Sequence, residues 1–181
     1  PHLTSPRRGE ESRTPPSRDS LQIYKARIRR LFYLNHAMIN LMANGRDRVL
    51  LVENDPVVAD LIGRQALQAV GYQVVIVGDA NTAISRAIQW VPDLILIDIN
   101  LTGLSGKDLL VALKSQGLQT PVILLAQRGQ ESDIVQGFRL GASDYLLLPV
   151  REAEAISAVG RVLKQVHERQ EQCRNPKGMD V

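Results

Sequence analysis

The chain is poor in aromatic residues and nearly free of cysteine. Phe, Trp and Tyr make up 4% of its 181 residues, so any core it buries is aliphatic, built from Leu, Ile, Val and Ala. The single cysteine, Cys173, excludes an internal disulfide and fits a reducing, cytoplasmic compartment. No apolar run reaches the ~18 residues of a bilayer-spanning helix, and no signal-peptide pattern is present. Zinc-type Cys and His spacing, a P-loop and a nucleophile–His–acid set are all missing.

What is there suits a globular domain: 44% of the residues are hydrophobic. The net charge of +3 is unevenly spread. Residues 1–48 hold ten Lys and Arg against four Asp and Glu, while residues 49–181 hold twelve against fifteen. The basic character belongs to the N-terminal extension and the rest is mildly acidic, so no nucleic acid is expected on the domain itself.

From residue 47 strands and helices alternate. A strand at 48–53 leads to a helix from Asp55 to about Val70, with Asp55 as N-cap, Pro56 in the first helical position and Gly71 as C-terminal cap. Strand 73–77 leads to a helix over about 80–90, and strand 94–98 to one over 106–116, where Ser105 and Asp108 form an S-x-x-D capping box. Strand 121–126 leads to a helix over about 130–140, closed by Gly141, and strand 144–147 to a last helix from about 150. That helix carries Val150, Ala153, Ile156, Val159, Leu163 and Val166 at three- and four-residue spacing, with Gly160 as a weak point. Five βα units with short connections imply a parallel sheet with helices on both faces.

Within this frame one stretch stands out. Asp93-Leu94-Ile95-Leu96-Ile97-Asp98 is an apolar run too short for a helix and without polar alternation, so it reads as a strand buried on both faces. A Gly-punctuated loop follows, from Ile99 to Gly106. Asp98 thus stands at the strand's C-terminal end, where open parallel sheets place their sites. The first strand ends the same way, in Glu53-Asn54-Asp55-Pro56. Two buried strands delivering acids to one sheet edge are costly unless a cation or a reaction uses them.

Glu53-Asn54-Asp55, Asp98-x-x-x-x-Gly103 and Pro149 after the fifth strand together resemble the receiver domain of bacterial two-component response regulators. The resemblance covers about residues 47–168. It implies a flavodoxin-like sheet with strand order 2-1-3-4-5 and a phosphorelay function: an aspartate after the third strand takes a phosphoryl group from a histidine kinase or phosphotransfer protein, with Mg²⁺ beside it. By position, Asp98 is the phosphoacceptor. Glu53, Asn54, Asp98 and the backbone carbonyl of Asn100 are the Mg²⁺ ligands. Ala126 holds the place of a phosphoryl-binding hydroxyl, Leu148 that of a lysine, and Tyr145 that of the switch aromatic. Pro149 is expected to follow a cis peptide bond.

Three of these residues depart from the family's pattern. Asn54 replaces a carboxylate ligand, and an amide oxygen neutralises no charge on a hard cation. Ala126 removes a hydrogen bond to the phosphoryl group. Leu148 removes a cation, and phosphoryl transfer depends on electrostatic stabilisation. The expectation is a degenerate receiver with weak Mg²⁺ binding and an impaired switch. The alternative is a pseudo-receiver, a phosphorylation-independent interaction or dimerisation module.

The domain boundaries expected are a disordered tail over 1–20, an amphipathic helix over 21–45, the receiver over 46–168 and a linker or tail over 169–181. The basic helix is open to three readings: a docking or dimerising helix, a remnant of a neighbouring domain, or translated sequence upstream of a start at Met42. His167 reads as a solvated helix position. Self-association through the last helix, and a covalently linked output or sensor domain outside this chain, complete the expected partners.

Overall fold

The computed structural model describes residues 47–174. The expectations for residues 1–45 and for the end of the chain after residue 174 lie outside these described residues. Five strands form one parallel sheet in the order β2-β1-β3-β4-β5: β1 Arg48–Val52, β2 Gln73–Val77, β3 Leu94–Asp98, β4 Val122–Gln127 and β5 Asp144–Leu148. This is the flavodoxin-like order that the resemblance implies. All five residues of β3 are buried, as its lack of polar alternation demands of a strand covered on both faces.

Alternation along the strands sorts the core into two layers. Val49, Leu51, Leu94, Leu96, Ile123 and Leu125 face Ile62, Ala66 and Leu67 of the first helix and Ile156, Val159 and Leu163 of the last. Leu50, Val52, Ile95, Ile97, Leu124 and Ala126 face the intervening helices through Ala83, Ala87, Leu109, Leu113 and Ile134. Each fully buried Leu, Ile or Val stabilises by ~1.5–3 kcal/mol.

The helices are α1 over residues 56–70, α2 Ala80–Trp90, α3 Gly106–Ser115, α4 Glu131–Arg139 and α5 Glu152–Arg174. The capping residues work as expected. The Asp55 side chain accepts from the Val57 and Val58 amides, and Ser105 Oγ accepts from the Asp108 amide at 3.2 Å and donates to its carboxylate at 2.7 Å.

Two elements differ from the expectation. Helix α1 is not uniform: Pro56–Ala59 is α-helical, Asp60–Leu67 π-helical and Gln68–Val70 a 3₁₀ turn that ends at Gly71 with φ 103°. Gly63 lies in the wide stretch against Ile76, where a Cβ would stand 2.6 Å from Ile76 Cδ1. Helix α5 runs through Gly160 and continues past residue 168 to Arg174, so residues 169–174 of the expected linker or tail are helical. Two ion-pair contacts lie just before that stretch. Lys164 lies 3.8 Å from Glu168, and His167 Nε2 lies 3.3 Å from Asp47 Oδ1 at the entry to β1. His167 is therefore tied to the domain rather than simply solvated.

Candidate functional site

Val52 is in register with Ile97, and Asp98 with Leu125. Glu53 and Asp98 therefore leave the sheet side by side at the C-terminal edge. Both carboxylates are buried, at 3% and 6% exposure, and they are the only buried charged residues among those described. Glu53 Oε1 accepts the Asp55 amide at 2.8 Å, while Glu53 Oε2 is buried without a partner. Asp98 Oδ1 accepts the Asn100 amide at 3.1 Å.

Burial is the main force on both acids. It pushes Glu53 up from 4.5 to about 7, against the Asp55 and Asn54 amides that favour its charged form; the neighbouring charges of Asp98 and Asp55 raise it further. Asp98 is likewise raised by burial, opposed by the Asn100 and Ile99 amides. Two acids that resist ionisation together create a local demand for positive charge.

The cleft that holds them is lined by Glu53, Asn54, Asp55, Pro56, Val58, Asp98, Asn100, Gln127 and Leu148. Five of the positions named from the sequence thus meet in one place. Pro149 follows next, across a cis peptide from Leu148. Ala126 does not line the cleft. It is fully buried in the core layer, in register with Leu147 on β5. Tyr145 lies elsewhere, 39% exposed, with its ring edge-on to Phe138 at 6.0 Å between centroids.

Glycine shapes the loop behind Asp98. Gly103 adopts φ 88°, and Gly106 opens α3 directly against the Asp98 backbone, where a Cβ would overlap the Asp98 carbonyl. Two residues of the site were not legible as such in the sequence. Gln127 lines the cleft, and Gln130 reaches the Asn100 side chain from across the sheet edge. No spacing rule links residues thirty apart on separate loops.

A divalent cation fits this donor set in part. The orphaned Glu53 Oε2 beside a second buried acid is the kind of group a cation would satisfy. Among the described residues, however, no three His, Cys, Asp or Glu side chains cluster as a metal site. The third place at this cleft belongs to the neutral amide of Asn54, and Asp55 is engaged as a helix cap. Also among the described residues, no helix is long and apolar enough to cross a membrane.

With this geometry the comparisons with known proteins agree. The model of the response regulator receiver domain family matches residues 49–160, and the chain belongs to that family. It is 34% identical over 132 residues to the transcriptional regulatory protein CpxR of Escherichia coli K12, covering 73% of this chain and 56% of that one. It is 29% identical over 120 residues to the DNA-binding response regulator MtrA of Mycolicibacterium smegmatis, covering 66% of this chain and 52% of the other. Among solved structures it resembles the receiver domain of NtrX from Brucella abortus, with a TM-score of 0.61, 28% identity and coverage of 64% of this chain and 98% of that one. The chain spans about half the length of the curated relatives it matches. It is thus a receiver module of two-component signalling.

Proposed function

We propose that Asp98 is the nominal phosphoacceptor of a phosphorelay receiver whose switch is impaired. The observation that carries this reading is the pairing of two buried acids, Glu53 and Asp98, in one cleft that also holds Asn54 and Leu148. In the transfer an Asp98 carboxylate oxygen forms a bond to phosphorus as the phosphorus–nitrogen bond of a phosphohistidine breaks, the imidazole keeping the electron pair. A histidine kinase or phosphotransfer protein is the donor.

Glu53, Asn54, Asp98 and the Asn100 carbonyl would hold Mg²⁺. When bound, the ion neutralises charge on the phosphoryl oxygens. The chain's own residues supply less than the reaction asks. The Asn54 amide lowers the negative charge of the site by one unit. The Ala126 methyl offers no hydrogen bond. Leu148 presents a hydrocarbon surface where a cation would stabilise the transferring group.

The test is treatment with acetyl phosphate and Mg²⁺ followed by intact-mass measurement. A phosphoryl adduct that is absent in Asp98→Asn supports the reading. No adduct under generous conditions overturns it.

A second reading is a phosphorylation-independent interaction module in the cytoplasm. It is favoured by the apolar side chains left exposed around α4 and β5: Val135, Phe138, Tyr145 and Leu147. With α5 these form a surface suited to self-association. Under this reading Asp98→Ala leaves association unchanged in sedimentation velocity, and a strong change rules it out. In either case the relatives' extra length makes a linked output module, DNA-binding in MtrA, the natural partner of this domain.

A further inference from the structure

Gln130 occupies the N-cap position of α4, yet its side chain makes no bond to its own helix. It reaches across to the loop that follows Asp98. Its Nε2 donates to Asn100 Oδ1 at 2.7 Å, and Asn100 Nδ2 donates back to Gln130 Oε1 at 3.1 Å. The same Oε1 accepts the Gln127 amide at 2.7 Å. Three hydrogen bonds therefore join the β3–α3 loop, the end of β4 and the first turn of α4 through one carboxamide.

The network is continuous at both ends. The Asn100 amide donates to Asp98 Oδ1 at 3.1 Å, and the Gln130 carbonyl accepts the Ile134 amide at 3.0 Å inside α4. Asn100 and Gln127 both line the cleft. A shift of the Asp98 carboxylate or of the Asn100 backbone thus pulls on Gln130 and, with it, on the start of α4. Ala126, the β4 residue just before Gln127, makes no comparable link: its methyl carries no polar group and does not line the cleft.

From this geometry we propose that Gln130 is a positioning residue that couples occupancy of the Asp98 cleft to α4 through its clasp on Asn100. The proposal rests on the receiver-site reading above, and it assigns the coupling to a glutamine amide outside the cleft lining. The clasp acts in both directions: it steadies the Asn100 loop for a bound cation, and it reports the cation's arrival to the helix.

The test follows backbone amide shifts by NMR during titration with Mg²⁺ alone, in the wild-type chain, Gln130→Ala and Gln130→Glu. In the wild type, Mg²⁺ shifts the amides of Glu53 and Asp98 and also those of Glu131 to Ile134. In Gln130→Ala the cleft amides still shift, with affinity reduced severalfold, while the α4 response falls at least threefold. Gln130→Glu keeps both acceptor bonds and restores part of that response. Thermal unfolding of the three proteins stays within a few degrees, which separates coupling from a merely structural loss. An α4 response undiminished in Gln130→Ala, with the cleft still titrating, overturns the clasp alone. Absence of any cleft shift in the wild type overturns the metal-site reading, and the clasp's role falls with it.

Discussion

The α-carbon of Gly106 rests against the backbone of Asp98, so closely that a Cβ there would overlap the Asp98 carbonyl oxygen and crowd Ile99 Cα. The Gly106 amide donates to the Ile99 carbonyl at 3.0 Å. This contact seats the first turn of α3 directly behind the candidate phosphoacceptor. Because the opposing atoms are backbone, no side-chain rotation relieves an added methyl. Gly106→Ala is expected to destabilise the domain by about 2–3 kcal/mol, the upper range of overpacking costs. Urea unfolding at constant m-value measures it, and a change under ~0.5 kcal/mol would show that the loop yields freely.

Replacing the neutral Asn54 amide should strengthen the proposed cation site. Asn54→Asp adds one negative charge at the cleft, and Mg²⁺ affinity should rise by ~1 kcal/mol or more, roughly fivefold, given screened interaction at such a site. Trp90 will not report it. Trp90 packs at the other end of β1, with its carbonyl accepting from Arg48 Nη1 at 2.6 Å and its ring 5.9 Å from the Arg48 guanidinium. The length of β1, roughly 16 Å at 3.3 Å per residue, separates it from the cleft. Amide shifts of Glu53 and Asp98 are the readout, and equal affinity in both proteins would reject this account of Asn54.

Glu53 makes the metal-free domain sensitive to pH. Its folded value is raised from 4.5 to about 7 by burial first and by Asp98 and Asp55 second. Well below pH 4.5 the group is protonated in both folded and unfolded chains and costs nothing. As pH rises toward 7 the unfolded chain releases the proton while the folded one keeps it, so stability falls, by on the order of 3 kcal/mol once both forms are ionised. Glu53→Gln should flatten this decline. Mg²⁺ should oppose it above pH 7 in the wild type, where binding favours the ionised folded form. Denaturant midpoints across pH 4 to 8 test the point, and parallel profiles for the two proteins would refute it.

Leu148→Lys should return a cation to the cleft. Leu148 lines it directly, so the ammonium has a short path to a phosphoryl group on Asp98. The initial rate of labelling by acetyl phosphate should increase at least tenfold, a modest share of the ~10²–10³ that one electrostatic contact supplies in other transfers. Quantitative mass spectrometry over time reads the rate. An unchanged rate would move the bottleneck to Asn54 or Ala126.

Much of this architecture was legible before any coordinates. The unbroken apolar run from Leu94 to Ile97 demands burial on both faces, and the strand–helix alternation from residue 47 leaves a parallel sheet as the economical solution. Asp55, Pro56 and Gly71 mark the ends of α1 through backbone chemistry that operates locally. The length of α5 was harder to read. Its apolar stripe ends at Val166, and just beyond it His167 meets Asp47, a partner 120 residues away that no local pattern reveals.

The amino-acid sequence by itself determined which residues carry carboxylates to the sheet edge, because unbroken apolar runs and the strand ends that close them are local properties of the chain. Only the tertiary structure decided what surrounds them. The register of β1 on β3 places Glu53 beside Asp98, and the resulting burial raises both acids. Ala126 and Leu148 look alike in sequence as apolar replacements, yet Ala126 is sealed in the core while Leu148 lines the cleft. The Asn100–Gln130 clasp joins two loops thirty residues apart. Such contacts depend on how helices and strands pack in space, and no local periodicity encodes them.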